Sequence, residues 1–392
     1  MIENKTKTIE SYLDNAATTR CSSRVQALVQ KTMNEDFGNP SSMHHKGFQA
    51  EHQIRQAAQT IAKTLKVSEK DLIFTSGGTE SNNLALIGAA MANHRLGSRL
   101  VTTQVEHASV LRTMEFLQEQ GFEVIYLPVD KEGIVDLDAL REAVDANTVL
   151  VSIMHVNNEV GAIQPVAQAA GIVHEKNPQA LFHVDAVQSY GKLLIRPKKL
   201  GIDLLSASGH KIHAPKGIGF LYKHEKAKIH PILFGGGQQA GMRSGTYNVP
   251  GIAGIGEAAA EAYENLEEKV RHMYGLKKRL IEQAACIEGV TVNGRSGDDS
   301  APHIVNLSFP GVRSEVLLHA LEESRIYVSA GSACSSSHQG ASHTLQAMRL
   351  APPLLESALR FSFCADTTLE EVDAAALKLQ ELVPRLRRYT RR

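Results

Sequence analysis

Short apolar runs alternate with helical stretches through the first two thirds of the chain, and this alternation narrows the fold more than any other feature. The runs Asp71 to Thr75, Leu100 to Thr103, Glu123 to Leu127, Val149 to Met154, Leu181 to Val184 and Gly219 to Lys223 read as strands. Between them, Glu80 to His94 and Leu137 to Ala146 read as helices, the second with Asp136 as its N-cap. Strands that take turns with helices build a mostly parallel sheet with helices packed over it, so the class is α/β. From about Gly256 to Glu288 apolar positions recur at helical spacing, which predicts one long helix leading into a smaller α+β domain. That region carries a strand over His303 to Phe309. It closes with a helix opened by a Thr367/Glu370 capping box and broken late by Pro384, near Leu386. Two stretches of small residues, Gly235 to Gly241 and Ser329 to Ser337, read as flexible loops, and no internal repeat is visible.

Composition removes several function classes. A chain of 392 residues, 43% apolar, buries a full core and is no disulfide scaffold. Lys+Arg and Asp+Glu both number 42, so no global field draws the protein to nucleic acid or anionic membrane. Any charged ligand must be held locally. No apolar run reaches membrane-span length, and the polar start Met-Ile-Glu-Asn-Lys lacks the apolar core of a signal peptide, so a cytoplasmic, soluble protein is expected. The four cysteines, at 21, 286, 334 and 364, lack the close pairing of a zinc or redox motif, and no metal is expected.

Chemistry concentrates after the strands. Thr75-Ser-Gly-Gly-Thr-Glu-Ser is a small-residue turn between a strand and a helix, where backbone N–H groups and a helix N-terminus can cradle a phosphate. Gly78 allows close approach and Thr79 adds a hydroxyl; an ordinary strand-to-helix turn is the other reading. An apolar strand ends in Asp185, with Gln188 on the following turn, and another apolar run leads to Ser208-Gly-His210-Lys211. An Asp for a pyridinium nitrogen and a Lys for a Schiff base are the two groups that pyridoxal phosphate requires. With the phosphate turn upstream, this cofactor is favoured over a solvated surface lysine. His107 could lie over a flat ring or be a satisfied loop histidine, and Asn158 could be a neutral donor or a turn former.

In chain order, Tyr12-Leu-Asp-Asn-Ala-Ala-Thr-Thr, Phe37-Gly-Asn-Pro-Ser-Ser, the turn at Thr75, Glu106-His, His155-Val-Asn-Asn-Glu-Val-Gly, His183-Val-Asp-Ala-Val-Gln-Ser, Ser208-Gly-His-Lys, Gly241-Met-Arg-Ser-Gly-Thr and Gly331-Ser-Ala-Cys resemble the cysteine desulfurases of the NifS/IscS type. The resemblance covers nearly the whole chain. It implies the fold-type I, class V aminotransferase-like architecture and a homodimer. By that resemblance residues 1–20 pack on the small domain, 21–260 form the large cofactor-binding domain, and 261–392 form the small domain carrying the Cys334 loop. Lys211 would carry the cofactor, Asp185 would hold the ring nitrogen, Gln188 the ring hydroxyl side and His107 the ring face. Gly78, Thr79, Ser208 and His210, with Thr246 of the second subunit, would hold the phosphate. Asn158 and Arg360 would orient substrate, Arg360 through a two-pronged pair with its carboxylate; a surface arginine beside a helix is the alternative.

Cys334 decides the implied reaction. Its neighbours are small and polar, the setting of an exposed thiol on a mobile loop. Cys364, between Phe363 and Ala365 and near Phe361, reads as structural, as does Cys286, and Cys21 as incidental. Lys211 would remove the Cα proton of L-cysteine and the Cys334 thiolate would take its sulfur, giving L-alanine and a persulfide for an acceptor protein serving iron–sulfur cluster assembly or thiolation of tRNA or a cofactor. Selenocysteine lyase and an inactive sulfur-relay scaffold are the alternatives. The chain departs from the resemblance at Gln238-Gln239-Ala240, where charged residues are usual, and at His213-Ala214, where Tyr and Gly are. It departs again at Ala341-Ser-His, in place of Pro-Ser, and at Arg349, where Gly is common. These changes suggest a different choice of acceptor. The basic end Arg385-Leu-Arg-Arg-Tyr-Thr-Arg-Arg reads as a solvated helix terminus, with an acidic docking partner as the other reading.

Overall fold

The computed structural model describes residues 10–330 and 342–390. Cys334, Gly331-Ser-Ala and Ala341 lie outside the described residues, so only the first two residues of the Ser329 to Ser337 stretch are seen. Seven strands form the main sheet in the order Leu72–Thr75, Gly219–Lys223, Leu204–Ser208, Leu181–Asp185, Thr148–Ser152, Arg99–Thr103 and Glu123–Leu127. Only Gly219–Lys223 runs against its neighbours. The central strands are buried at every position because helices cover both faces. On one face Ile61, Leu65, Ile252 and Ile255 pack against Val151, Phe182, Leu205 and Phe220. On the other, Leu84, Leu86, Val110 and Met114 meet Leu100, Leu150 and Leu204. His183 sits fully buried in the middle of this sheet and bonds Ser152 Oγ and Ser206 Oγ on the flanking strands, at 2.8 and 2.9 Å. Burial pushes its imidazole down to about 3, so it is a neutral strut.

A second, antiparallel sheet contains Ser329–Ala330, Ala358–Ser362, Ile304–Ser308 and Thr291–Asn293, over its own apolar cluster of Leu280, Phe309, Phe361 and Leu379 among others. Near the chain start, Ser11–Tyr12 pairs in parallel with Ile326–Tyr327, and Asp14 bridges to Ser362. The N-terminal segment is therefore stitched to the C-terminal third while its next residues, Ala16 and Ala17, reach the edge of the main sheet.

Four expectations need correction. The long helix over Gly256 to Glu288 is two helices, Val249–Tyr263 and Leu266–Ala284, separated by Asn265 in the left-handed region at φ 52°. Asparagine tolerates that conformation well, which is why a helical pattern concealed the break. The final helix runs Leu369–Thr390 straight through Pro384. Leu382 and Val383 pack into the C-terminal cluster, and Arg387 donates to the carbonyls of Pro310 and Glu288 at 2.9 and 2.7 Å. Together these outweigh the roughly 3 kcal/mol that an interior proline costs. They also give one cation of the basic end an internal partner. The helix opens one residue later than predicted, with Thr368 and Glu371 each bonding the other's backbone N–H. The Gly235 to Gly241 loop is pinned as well: the Gln239 side-chain amide donates to Phe74 O and accepts from Phe74 N, at 2.8 and 2.7 Å. A glutamine thus mimics a neighbouring strand along the edge strand Leu72–Thr75. Arg349 has φ 58°, a conformation glycine adopts freely, which explains the usual glycine there. Among the described residues, no helix is long and apolar enough to cross a membrane.

Candidate active site

The parallel strands end on one edge, and the segments that follow them surround a cavity of about 270 Å³. Open α/β sheets bind ligands at this carboxyl edge because the connecting loops diverge there. Gly78, Thr79, His107, Asn158, Asp185, Gln188, Ser208, His210, Lys211 and Arg360 all line it. Thr246 does not; it is exposed, on a segment fastened near the cavity by the Arg243–Glu80 ion pair at 2.8 Å.

At one end the helix Gly78–Asn93 points its N-terminus into the cavity. Its N-cap, Gly77, has φ 154° and makes no side-chain cap. A side chain there would be strained, and a Cβ on Gly78 would lie 2.7 Å from Val187 Cγ2, so both glycines are required for the backbone to come this close. Uncapped N–H groups, the helix dipole and the hydroxyls of Thr79 and Ser208 make an anion cradle. His210 beside it bonds Thr18 Oγ1 at 3.2 Å, and burial lowers it to about 4, so it serves as a neutral donor.

The floor holds a buried relay. Asn82 Nδ2 donates to Asp185 Oδ2 and to Ser109 Oγ, both at 2.8 Å, and Val187 N–H donates to Asp185 Oδ1 at 2.9 Å. Ser109 also contacts His107 Nδ1 through its hydroxyl at 2.8 Å and its backbone N–H at 3.1 Å. A backbone N–H can only donate, so Nδ1 accepts and the neutral ring carries its proton on Nε2. Burial lowers the His107 pKa and keeps that form, despite the opposing pull of Asp185. Lys211 Nζ donates to the carbonyls of Ala16 and Ala17, at 2.6 and 2.7 Å, and Gln188 Nε2 donates to Ala16 O at 3.0 Å. At the other end Arg360 is held by Asn158 O and Asp14 Oδ1, both at 2.8 Å, while its Nε is buried without a partner. The orphaned donor gives the guanidinium capacity for one more acceptor.

Asn82, Ser109, Asp14 and the Ala16 carbonyl were not singled out from sequence. Asn82 lies one helical turn after Thr79 and Ser109 two residues after His107, so proximity to the chosen residues was the available signal. Glu106 was passed over too. It is fully buried, accepts from Thr103 Oγ1 and Met154 N at 2.7 and 2.9 Å, and burial raises its carboxyl to about 8. Between the ordinary glutamate value and about 8 the folded chain keeps a proton that the unfolded chain releases, so stability falls across that window as pH rises. Glu106→Gln is expected to flatten this fall and raise the melting temperature at pH 8 by roughly 2–4 °C, with little gain at pH 5. Thermal melts at the two pH values check it; an equal change at both would contradict the assignment.

The cysteines are also placed. Cys286 is exposed rather than structural, and Cys364 is only half-buried, facing a separate cavity instead of the apolar cluster beside it. Burial raises the Cys364 and Cys21 thiols, Cys364 despite its bond from Thr367.

An anion cradle, a buried carboxylate, an amine and an arginine thus surround one cavity, an arrangement suited to a small ligand that carries anionic groups. The family model Aminotransferase class-V matches residues 11–375. A cysteine desulfurase IscS from Methanosarcina thermophila is 43% identical over 376 residues, 96% of this chain and 92% of that protein. A solved NifS-like protein superposes with a TM-score of 0.91 at 40% identity, covering 96% of this chain and 100% of its own. SspA, solved in complex with cysteine, gives 0.80 at 33% identity, over 91% of this chain and 100% of its own. The chain belongs to the class-V aminotransferase family, among the NifS/IscS-type cysteine desulfurases.

Proposed function

We propose that the chain is a pyridoxal-phosphate-dependent cysteine desulfurase that converts L-cysteine to L-alanine and leaves the sulfur as a persulfide on Cys334. The observation that carries this reading is the placement of Asp185, Lys211 and Arg360 around one cavity whose far end is an uncapped helix N-terminus. The residues present fit the cofactor. Gly78, Thr79, Ser208 and His210 would hold its phosphate, joined by the partner subunit's Thr246. Asp185 would hold the ring nitrogen, Gln188 and His107 the ring, and Lys211 the carbonyl carbon. Bound there, pyridoxal phosphate supplies an electron sink for the charge left when the substrate Cα proton departs.

The chain's own groups supply the rest. Arg360 receives the substrate carboxylate, with its unpartnered Nε as spare donor capacity and the Asn158 and Asp14 contacts fixing the guanidinium. Lys211 takes the Cα proton. His107, with its proton on Nε2, is set to donate rather than accept. The Cys334 thiolate attacks the substrate sulfur, forming an S–S bond as the C–S bond breaks, and the carbon product takes up protons to become alanine. Delivery to an acceptor protein and assembly as a homodimer belong to the same reading.

The test is a quantitative assay of alanine and of sulfide from L-cysteine with a thiol reductant, on protein loaded with the cofactor. Equal yields of alanine and sulfide are expected; no alanine would overturn the proposal. Arg360→Lys keeps charge but loses the fork, so KM for L-cysteine is expected to rise about 10–100-fold with a smaller change in kcat. A change confined to kcat would remove Arg360 from carboxylate binding.

A further inference from the structure

Behind the Lys211 segment lies a second cavity, of about 120 Å³, that the proposed reaction does not use. Three side chains of metal-binding type converge on its wall. A ring nitrogen of His213, Cys364 Sγ and a carboxylate oxygen of Asp366 all lie within 4.8 Å of one another. His213 is two residues beyond Lys211. Cys364 and Asp366 follow the strand Ala358–Ser362, which carries Arg360.

The histidine is prepared as a ligand. Its backbone N–H donates to Thr19 Oγ1 and its ring Nδ1 bonds Arg20 O, both at 2.8 Å. A carbonyl oxygen only accepts, so Nδ1 carries the proton and Nε2 keeps its lone pair. A histidine that ligates a metal is commonly held in this way, with its other ring nitrogen donating to a backbone carbonyl. The thiol is half-buried and the carboxylate exposed, so the carboxylate side can close onto an ion while the other two ligands stay put. Imidazole, thiolate and carboxylate together suit a borderline cation in tetrahedral geometry, with a water in the fourth position. Glu261 lines the same cavity, as do the amine-bearing Lys192, Lys211 and Lys269. Lys192 Nζ donates to Lys211 O, Lys211 Nζ to the carbonyls of Ala16 and Ala17, and Lys269 Nζ to Glu261 O.

We propose that His213, Cys364 and Asp366 form a binding site for a divalent transition-metal ion of the zinc class, which ties the Lys211 segment of the main sheet to the Arg360 strand of the second sheet. Binding forms the metal–sulfur bond as the Cys364 S–H proton passes to solvent, with no change of oxidation state. The ion would clamp the two strands that present the base and the carboxylate-binding arginine.

Zinc binding is measured by equilibrium dialysis with Zn²⁺ on the full-length, cofactor-loaded protein, with melting temperatures taken with and without the ion. One tight Zn²⁺ per chain is expected in the wild type and in Cys334→Ser, together with a raised melting temperature. His213→Asn, which suits the left-handed backbone at φ 67°, and Cys364→Ser are expected to lose that ion. Asp366→Asn is expected to weaken binding about 10-fold or more. Unchanged stoichiometry in His213→Asn and Cys364→Ser, at wild-type metal-free melting temperature, would overturn the proposal. So would loss of the ion in Cys334→Ser alone, which would place it on the catalytic loop. Because the readout is bound metal, the result stands apart from whether L-cysteine is the substrate.

Discussion

Lys211→Ala is expected to lower alanine formation from L-cysteine by at least about 10³-fold, the scale of losing a positioned general base. Among the described residues that line the cavity, neither histidine is placed to substitute for it. His107 carries its proton on Nε2, and its one basic lone pair, on Nδ1, is already engaged by the Ser109 backbone N–H and hydroxyl. His210 lies at the phosphate end, bonded to Thr18. The Lys211 amine donates to two backbone carbonyls, Ala16 O and Ala17 O, which hold it in the cavity. Single-turnover alanine yield and exchange of the substrate Cα hydrogen in D₂O are both expected to vanish. Activity within tenfold of wild type would remove Lys211 from the chemistry.

Cys334→Ser is expected to separate those two readouts. Sulfide release from L-cysteine falls about 10²–10⁴-fold, because a serine hydroxyl is a far weaker nucleophile toward sulfur, whereas Cα exchange continues because Lys211 and Arg360 are untouched. No described cysteine can replace it: Cys21, Cys286 and Cys364 are absent from the lining of the catalytic cavity. Burial also holds the Cys21 and Cys364 thiols protonated. A serine variant still active on L-cysteine would favour a lyase that releases its product without the thiol. Loss of both readouts in the serine variant would mean that residue 334 also shapes the cavity.

The residues legible from their own setting in the sequence end an apolar strand or follow one within a few residues, whereas Arg360, inside the strand Ala358–Ser362, came only with the family resemblance. Asp185, Ser208, Lys211 and Asn158 could be placed because a parallel sheet brings all its carboxyl ends to one edge, and apolar runs mark where those ends fall. The parts that stayed hidden depend on distant partners. Nothing local to Asn82 announces that it reaches Asp185 and Ser109, since both partners arrive by folding of the sheet. Asn265 is compatible with a helix and with the left-handed break, and only the packing of two helices in different layers selects the second. Pro384 breaks a helix by its local chemistry alone, but Leu382 and Val383 are held by tertiary packing that carries the helix through it. Around Cys364 the local setting misleads in the opposite sense: Phe361 and Phe363 belong to the C-terminal apolar cluster, while Cys364, beyond the end of the strand, lines a separate cavity.

The turn at Asp14 to Thr19 gains meaning when the order of synthesis is considered. It supports Lys211 through Ala16 and Ala17, contacts His210 through Thr18, and holds Arg360 through Asp14, yet it is anchored by Ser362 and by the Ile326–Tyr327 strand. The turn therefore settles only after residues more than three hundred positions further along the chain have been made. The main sheet has all its strands once Lys223 is made, but the supports of Lys211 and Arg360 cannot close until Ser362 has followed. A chain truncated between those points would display the folded scaffold without its reactive geometry.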